Sequence, residues 1–301
     1  MLRGKRRAVQ GPRVVHRIQL AAGLSILSVM ACLGILLEAQ TKVEPGFNLF
    51  TPQQDVEIGR QSAAEVEKQM PILKIRPVDT YVQKVGKRLA KAAPGPEFPY
   101  QFKVINTAEV NAFALPGGFM FLNRGLIEAA DDEAQLAGVM SHEMAHVALR
   151  HGTNQASKAY LAQAGFNLLG GLFGKSGTSQ MIEAIGGFGL NTVFLKFSRK
   201  AEEQADIVGA QIMARAGYDP MAMAEFFEKL RDEAGRDPNR LERWFSDHPA
   251  PVERVSRVEQ EVRLMQGDFS RKRPVGGFSA VQKRLKALPP APKPKQESSG
   301  R

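Results

Sequence analysis

The segment HEMAH at residues 142–146, within VMSHEMAHVALRHG, constrains this chain more than any other feature. Two histidines four positions apart share one face of an α-helix, one turn from each other. The pattern predicts a helix from about Asp132 to Arg150, with acids in its first turn and Gly152 as its stop. Several of its other positions are strongly apolar, notably Leu136, Val139, Met140 and Val147. We therefore expect a largely buried helix, in which two imidazoles need partners.

The chemistry that suits this spacing is zinc binding. His142 and His146 can ligate one ion, and Glu143 is rotated by about 100° from His142, so it can approach a metal-bound water without ligating the metal. Zinc lowers the pKa of that water to about 7, and the carboxylate can then pass its proton to a leaving nitrogen. The alternative is a helix with two solvated histidines.

A catalytic zinc takes three protein ligands and keeps a fourth position open. His151 is expected to be turned off the face that carries His146. A predicted helix between Ser198 and Gly217 offers three acids instead: Glu202, Glu203 and Asp206. Glu202 and Asp206 share a face, so one could bind the metal while the other accepts a hydrogen bond from a ligand imidazole. The alternative here is a solvated acidic face.

Several motifs, in order over roughly residues 50–265, resemble the zinc metallopeptidases of the HtpX and CAAX prenyl endopeptidase type. They are HEMAH, the E-x-x-A-D of residues 202–206, NAFALPGG at 111–118, and His-Pro at 248–249 followed by Arg254. The resemblance implies that Glu202 is the third zinc ligand and that Asp206 and Arg254 lie in the layer behind the ligands. It makes His248 a candidate for steadying the oxyanion or for occupying the open position of the metal.

The resemblance also implies a strand beside the cleft, where an extended substrate could pair through Asn111, Ala112, Phe113 and Ala114. The chain departs from the HtpX type, which has several membrane spans, whereas only one clear apolar span occurs here. After the catalytic region we do not expect the helical-repeat extension of some exported bacterial members.

We expect an α+β fold, with a mostly helical zincin-type metalloprotease domain over residues 41–270 and a small antiparallel sheet beside the active-site helix. A helix is predicted from Thr51-Pro52 to about Met70 and another after Pro77 to about Ala93. Strands are predicted at 100–107 and on both sides of the Pro116-Gly117-Gly118 turn, and further helices at the Asp219-Pro220 cap and from Pro251 to about Met265. The glycine-rich segment 161–195 could form a mobile flap or a surface that rests on lipid or a partner.

Residues 1–40 are interpreted as a targeting segment. IQLAAGLSILSVMACLGILL, residues 18–37, would span about 30 Å as a helix, which matches the hydrocarbon core of a bilayer. We favour an uncleaved signal anchor over a cleaved signal peptide; a lipoprotein cleavage box ending at Cys32 is a further alternative. In each case the chain from residue 40 onward is predicted to lie outside the cytoplasm, in a bacterial-type envelope.

The net charge of +10 belongs to the two ends of the chain. Residues 1–17 carry a net charge of +6 and residues 271–301 carry +8, which leaves −4 for residues 18–270. A groove that binds the phosphates of nucleic acid needs basic charge on the folded surface. We therefore do not expect this chain to bind nucleic acid. The Pro/Lys-rich tail 271–301 is predicted to be disordered.

The sequence thus predicts a metalloendopeptidase with one Zn2+ per chain that cleaves polypeptides, by resemblance misfolded or unassembled envelope proteins. One alternative is a zinc-binding, chaperone-like or latent module with little proteolytic activity. A zinc aminopeptidase or thermolysin-like enzyme is a third hypothesis, but those families place the third ligand much nearer to the second histidine. The oligomeric state is left open.

Overall fold

The structure is a computed structural model that describes residues 40–168, 197–234, 252–265, 267–269 and 274–292, together with the single positions 241, 244, 246 and 248. The predicted span 18–37, including Cys32, and most of the glycine-rich segment 161–195 lie outside the described residues. None of the helices in these ranges combines the length and the apolar character that crossing a bilayer requires. Lys42–Arg301 forms one compact unit.

Helices make up most of the described fold. They are α1 (Pro52–Gln69), α2 (Arg76–Ala90), α3 (Arg124–Ala129), α4 (Glu133–Ala148), α5 (His151–Leu168), α6 (Arg199–Arg215), α7 (Met221–Ala234), α8 (Val252–Met265) and α9 (Phe278–Lys286). Thr51 caps α1 in a reciprocal capping box with Gln54, and the side chain of Ser198 accepts from the Ala201 N–H to cap α6. These caps satisfy backbone donors that a helix start leaves open, and they confirm the predicted starts.

The sheet contains β1 (Gln101–Ile105), β2 (Ala112–Leu115) and β3 (Phe119–Asn123), in the order β1-β3-β2. β2 and β3 form an antiparallel hairpin, whereas β1 pairs with β3 in parallel. The prediction of an antiparallel sheet is therefore wrong for one of its two ladders. The reason is that every residue of β3, FMFLN, is buried, so this strand takes the central position and β2 pairs on its far side.

Helix α4 lies in the centre of the fold, and all of its residues are buried. It packs against α6, α7, α2 and β2, and the side chain of Asp132 caps it by accepting from the Gln135 N–H at 2.9 Å. Its end differs from the prediction. The helix ends at Ala148, Arg150 has a left-handed φ of 58°, and α5 begins at His151. Gly152 therefore lies inside the next helix and does not stop this one.

The disorder predicted for the tail 271–301 is wrong for residues 274–292. Helix α9 is amphipathic, and its buried residues Phe278, Val281 and Leu285 join the main hydrophobic core. Arg124, itself buried, donates from Nη2 to the carbonyl of Leu285 at 2.7 Å. The described domain thus extends beyond the boundary predicted at residue 270, because this amphipathic face needs the core to cover it.

Leu285→Ala is expected to lower the free energy of unfolding by about 2–5 kcal/mol, because the fully buried side chain leaves a cavity in the core. Urea unfolding followed by the fluorescence of Trp244, the only tryptophan, measures this change. The matched control is Lys286→Ala at the neighbouring exposed position, for which a change within about 0.5 kcal/mol is expected. Equal effects of the two substitutions would show that α9 does not contribute to the core.

Candidate metal centre

The two histidines of the HEMAH segment converge inside the protein. Helix α4 presents His142 and His146 on one face, and their Nε2 atoms lie 3.1 Å apart. Their side chains are 0% and 2% exposed. Helix α6 approaches this face closely at Gly209, where a Cβ atom would lie 3.2 Å from the backbone of His142. The absence of a side chain there lets α6 bring its own polar residues against the histidines.

Glu202, in the first turn of α6, supplies a carboxylate to the same point. Its Oε2 lies 3.4 Å from His142 Nε2, and its Oε1 lies 3.4 Å from His146 Nε2. Ligand atoms that surround one zinc ion tetrahedrally at 2.0–2.1 Å are about 3.3 Å from each other. Two imidazole nitrogens, and a carboxylate that places one oxygen close to each of them, provide the donor set of a zinc site. Glu203, the neighbouring acid, is exposed and does not belong to this cluster.

Glu143 lies beside these three side chains without belonging to their cluster. Its carboxylate is 1% exposed, and its Oε1 atom has no hydrogen-bond partner. The His248 Nε2 atom lies 3.3 Å from that oxygen, without the geometry of a hydrogen bond. A buried carboxylate oxygen without a partner is costly in a structural role, whereas a general base needs an oxygen free to accept a proton.

His142 is held from behind by Asp206. The Asp206 Oδ1 atom lies 3.1 Å from His142 Nδ1, so the carboxylate accepts the Nδ1 proton and leaves the Nε2 lone pair for a ligand role. Arg254 donates to the same carboxylate at 2.7 Å, and its guanidinium carbon lies 3.8 Å from the centre of the Phe227 ring. Arg257 donates to the other oxygen of Asp206 at 2.8 Å. Sequence reasoning missed Arg257, although it follows Arg254 at a helical spacing of three.

His248 comes from a separate part of the chain and closes the cluster. Its Nδ1 lies 3.2 Å from both carboxylate oxygens of Glu202 and 3.4 Å from His142 Nε2. The imidazole packs on Trp244, with ring centroids 4.6 Å apart. His248 thus faces Glu202 and His142 through Nδ1 and lies 3.3 Å from Glu143 Oε1 through Nε2. Four ligand-type side chains therefore meet here: His142, His146, Glu202 and His248.

Two further aromatic side chains surround His146. His151 is buried, and its Nδ1 lies 3.0 Å from His146 Nδ1. The ring of Phe197 stacks on His146 with centroids 3.9 Å apart. The sequence-based expectation that His151 is turned away is wrong, because it assumed that α4 continues through Arg150. For Phe197, the only sequence signal is its position directly before the Ser198 cap.

The pKa values in the cluster depend on the burial of its side chains and on the charges of their neighbours. Burial raises the pKa of Glu143 above its usual range, although His248 and His142 oppose this shift. Burial would also raise the pKa of Glu202, but His248, His142 and His146 hold it well below its usual range. Burial and the charge of Arg254 disfavour protonation of His142, yet its contacts with Asp206 and Glu202 raise its pKa to about 9. Glu202 therefore stays ionised, while Glu143 is the carboxyl more ready to hold a proton.

The predicted substrate strand is the edge strand β2. The carbonyl of Asn111 accepts a hydrogen bond from the N–H of Asn123 in β3. Because hydrogen-bonded residues alternate along an antiparallel pair, the backbone groups of Ala112 and Ala114 face away from β3, toward the outer edge of the sheet. The side chain of Asn111 already accepts the Ala112 N–H. No strand among the described residues pairs with this outer edge. A small pocket lies beside it, lined by residues that include Ala114, Leu115, Pro116, His146, Arg150 and Phe197.

Comparison with known proteins gives consistent matches. The model of peptidase family M48 matches residues 77–262. The beta-barrel assembly-enhancing protease of Escherichia coli (strain K12) is 30% identical over 219 residues, which are 70% of this chain and 44% of that protein. The mitochondrial metalloendopeptidase OMA1 of Schizosaccharomyces pombe is 30% identical over 191 residues, covering 61% and 53% of the two chains. Metalloprotease YcaL of E. coli is 29% identical over 185 residues, covering 60% and 70%. The chain therefore spans less than half the length of the first of these relatives.

Proposed function

Because the chain belongs to peptidase family M48, we propose that it is a zinc-dependent endopeptidase that cleaves polypeptides in a bacterial envelope. The observation that carries this proposal is the convergence of His142, His146 and Glu202, whose facing nitrogen and carboxylate oxygen atoms approach pairwise to 3.1–3.4 Å, with the unpartnered oxygen of Glu143 beside them. A purely structural zinc site would not need a buried base beside it.

His142, His146 and Glu202 would hold the ion, and Asp206 would keep His142 in the tautomer that leaves Nε2 free. Zinc, when bound, acts as a Lewis acid and lowers the pKa of a water molecule to about 7. Glu143 takes a proton from the attacking water and delivers it to the amide nitrogen as the peptide bond breaks. Its raised pKa suits both transfers, because such a carboxyl accepts and releases a proton closer to neutral pH.

His248 could serve this reaction or prevent it. Through Nε2, close to Glu143, it could donate to the oxyanion that develops on the scissile carbonyl. Through Nδ1 it lies close enough to Glu202 and His142 to fill the fourth ligand position, and this contact favours the second candidate function, a latent or chaperone-like zinc module. A lower kcat in His248→Ala would support the first role, and a higher kcat would support the second.

The proposed substrates are unassembled or misfolded envelope polypeptides. A relative is named as a protease that enhances beta-barrel assembly, and the apolar residues 18–37 would direct the domain out of the cytoplasm and attach it to the membrane. An extended polypeptide would add to the outer edge of β2 at Asn111–Ala114, where backbone hydrogen bonds bind many different sequences.

Removal of the metal is expected to stop cleavage. Treatment of the purified chain with 1,10-phenanthroline should reduce casein cleavage by at least about 100-fold, because Glu143 alone cannot activate water sufficiently. One equivalent of Zn2+ should restore the activity, with metal content followed by mass spectrometry. The non-chelating isomer 1,7-phenanthroline is the matched control and should have no effect. Unchanged cleavage by the metal-free chain would refute the proposed function.

A further inference from the structure

We propose that His151 is a positioning residue for the metal ligand His146, acting as the hydrogen-bond acceptor that holds its imidazole in place. This inference rests on the proposed function and adds a residue to it. The His151 and His146 Nδ1 atoms lie 3.0 Å apart, and His151 Nε2 lies 3.1 Å from Gln204 Oε1. A chain of three side chains, two buried imidazoles and the half-buried amide of Gln204, thus leads from the metal site to α6.

The direction of these hydrogen bonds follows from which ring nitrogen of each histidine carries the proton. An imidazole that ligates through Nε2 carries its proton on Nδ1, so His146 must donate to whatever faces that atom. The facing atom is Nδ1 of His151, which must therefore hold a lone pair. Its proton is then on Nε2, directed at the amide oxygen of Gln204. Each of the two contacts then pairs one N–H donor with one acceptor, and neither contact brings two protons together.

The backbone places His151 there by breaking the helix. If α4 continued without interruption, residue 151 would be rotated by about 140° from the face of His146. The left-handed conformation of Arg150 turns the chain back, so that α5 begins with the imidazole of His151 against His146. A left-handed arginine is unfavourable and persists only when its surroundings hold it.

The surroundings of Arg150 supply that constraint. Its Nε and Nη2 atoms donate to the two carboxylate oxygens of Asp55 at 2.6 and 3.0 Å, and Nη2 also donates to the carbonyl of Phe50. Asp55 is 1% exposed, so this is a fixed, bidentate contact and not a solvated pair. The start of α1 thereby holds the kink that brings His151 to the metal site.

The two histidine ligands would then have different supports. His142 donates to Asp206, a carboxylate contacted by two arginines, whereas His146 donates to an imidazole that ends on an amide. Both supports select the tautomer with a free Nε2, which is the state that binds zinc. Loss of an outer partner of this kind typically costs 10–100-fold in metal affinity.

The test measures zinc affinity and tautomer in the full-length chain. In His151→Phe, which keeps an aromatic ring next to Phe197 but cannot accept a hydrogen bond, the zinc dissociation constant from chelator competition should rise about 10–100-fold. His151→Asn, whose amide oxygen can replace Nδ1 as acceptor, should recover most of that loss. Trp244 fluorescence and the urea midpoint check that both variants fold.

A second measurement does not depend on any variant. In the zinc-loaded wild type, 15N NMR of labelled histidines should show His151 protonated on Nε2 and bare on Nδ1. The opposite tautomer, or equal zinc affinity of His151→Phe and wild type, would overturn the positioning role. Equal losses in the Phe and Asn variants would also overturn it, because they would indicate packing alone. A wild type that binds no zinc would instead refute the proposed function itself.

Discussion

Replacement of Glu143 by glutamine is expected to lower kcat for peptide cleavage by about 10²–10⁴-fold while leaving one zinc ion per chain. Glutamine keeps the size of the side chain, but its amide oxygen cannot take a proton from water and pass it on. The ligand atoms of His142, His146 and Glu202 are not altered by this change, so metal binding should persist. Casein cleavage and zinc content, measured on the same preparations of variant and wild type, separate the two effects.

Stability provides an internal control for this variant. Burial raises the folded-state pKa of Glu143, so ionisation of this carboxyl opposes folding increasingly as pH rises through that pKa. The metal-free Glu143→Gln chain should therefore be at least as stable as the metal-free wild type at pH 7, and any advantage should shrink as pH falls. An inactive variant with this stability has lost its base and not its fold.

Equal cleavage by variant and wild type would refute the mechanism, and zinc without cleavage in either would favour the latent module.

Replacement of Glu202 by alanine is expected to weaken zinc binding by more than the roughly 10–100-fold cost of losing an outer partner. The variant would leave only two imidazoles from the predicted ligand set and would lose the charge that offsets the ion. Cleavage should fall with metal occupancy at limiting zinc. Dissociation constants from chelator competition, followed by activity at several zinc concentrations, measure both quantities.

Glu203→Ala is the matched control, because it removes the same group from the adjacent, exposed position of α6. Its zinc affinity and activity should equal those of the wild type. The reverse pattern, with Glu203 required and Glu202 dispensable, would show that the wrong acid has been assigned to the metal.

Local patterns accounted for much of the fold. Capping residues such as Thr51 and Ser198 predict where a helix starts, because a cap involves only neighbouring residues. The two short apolar stretches on either side of Pro116 predict a hairpin. The partner of β1 could not be predicted in this way, because a strand's hydrophobic pattern does not say which neighbour it pairs with. Helix α9 was missed because the basic, proline-rich composition around it obscured three apolar residues, Phe278, Val281 and Leu285.

For the candidate site, the sequence predicted the HEMAH helix and its Glu143, since an i, i+4 pair needs only helical periodicity to share a face. It also identified Glu202, Asp206, His248 and Arg254 through motif resemblance. The folded chain was needed to show how these residues meet, that Arg257 contacts Asp206, and that His151 turns back to His146. The physical reason is that helical periodicity is set by neighbouring residues, whereas the kink at Arg150 depends on Asp55, ninety-five positions away, and exists only once the chain has packed.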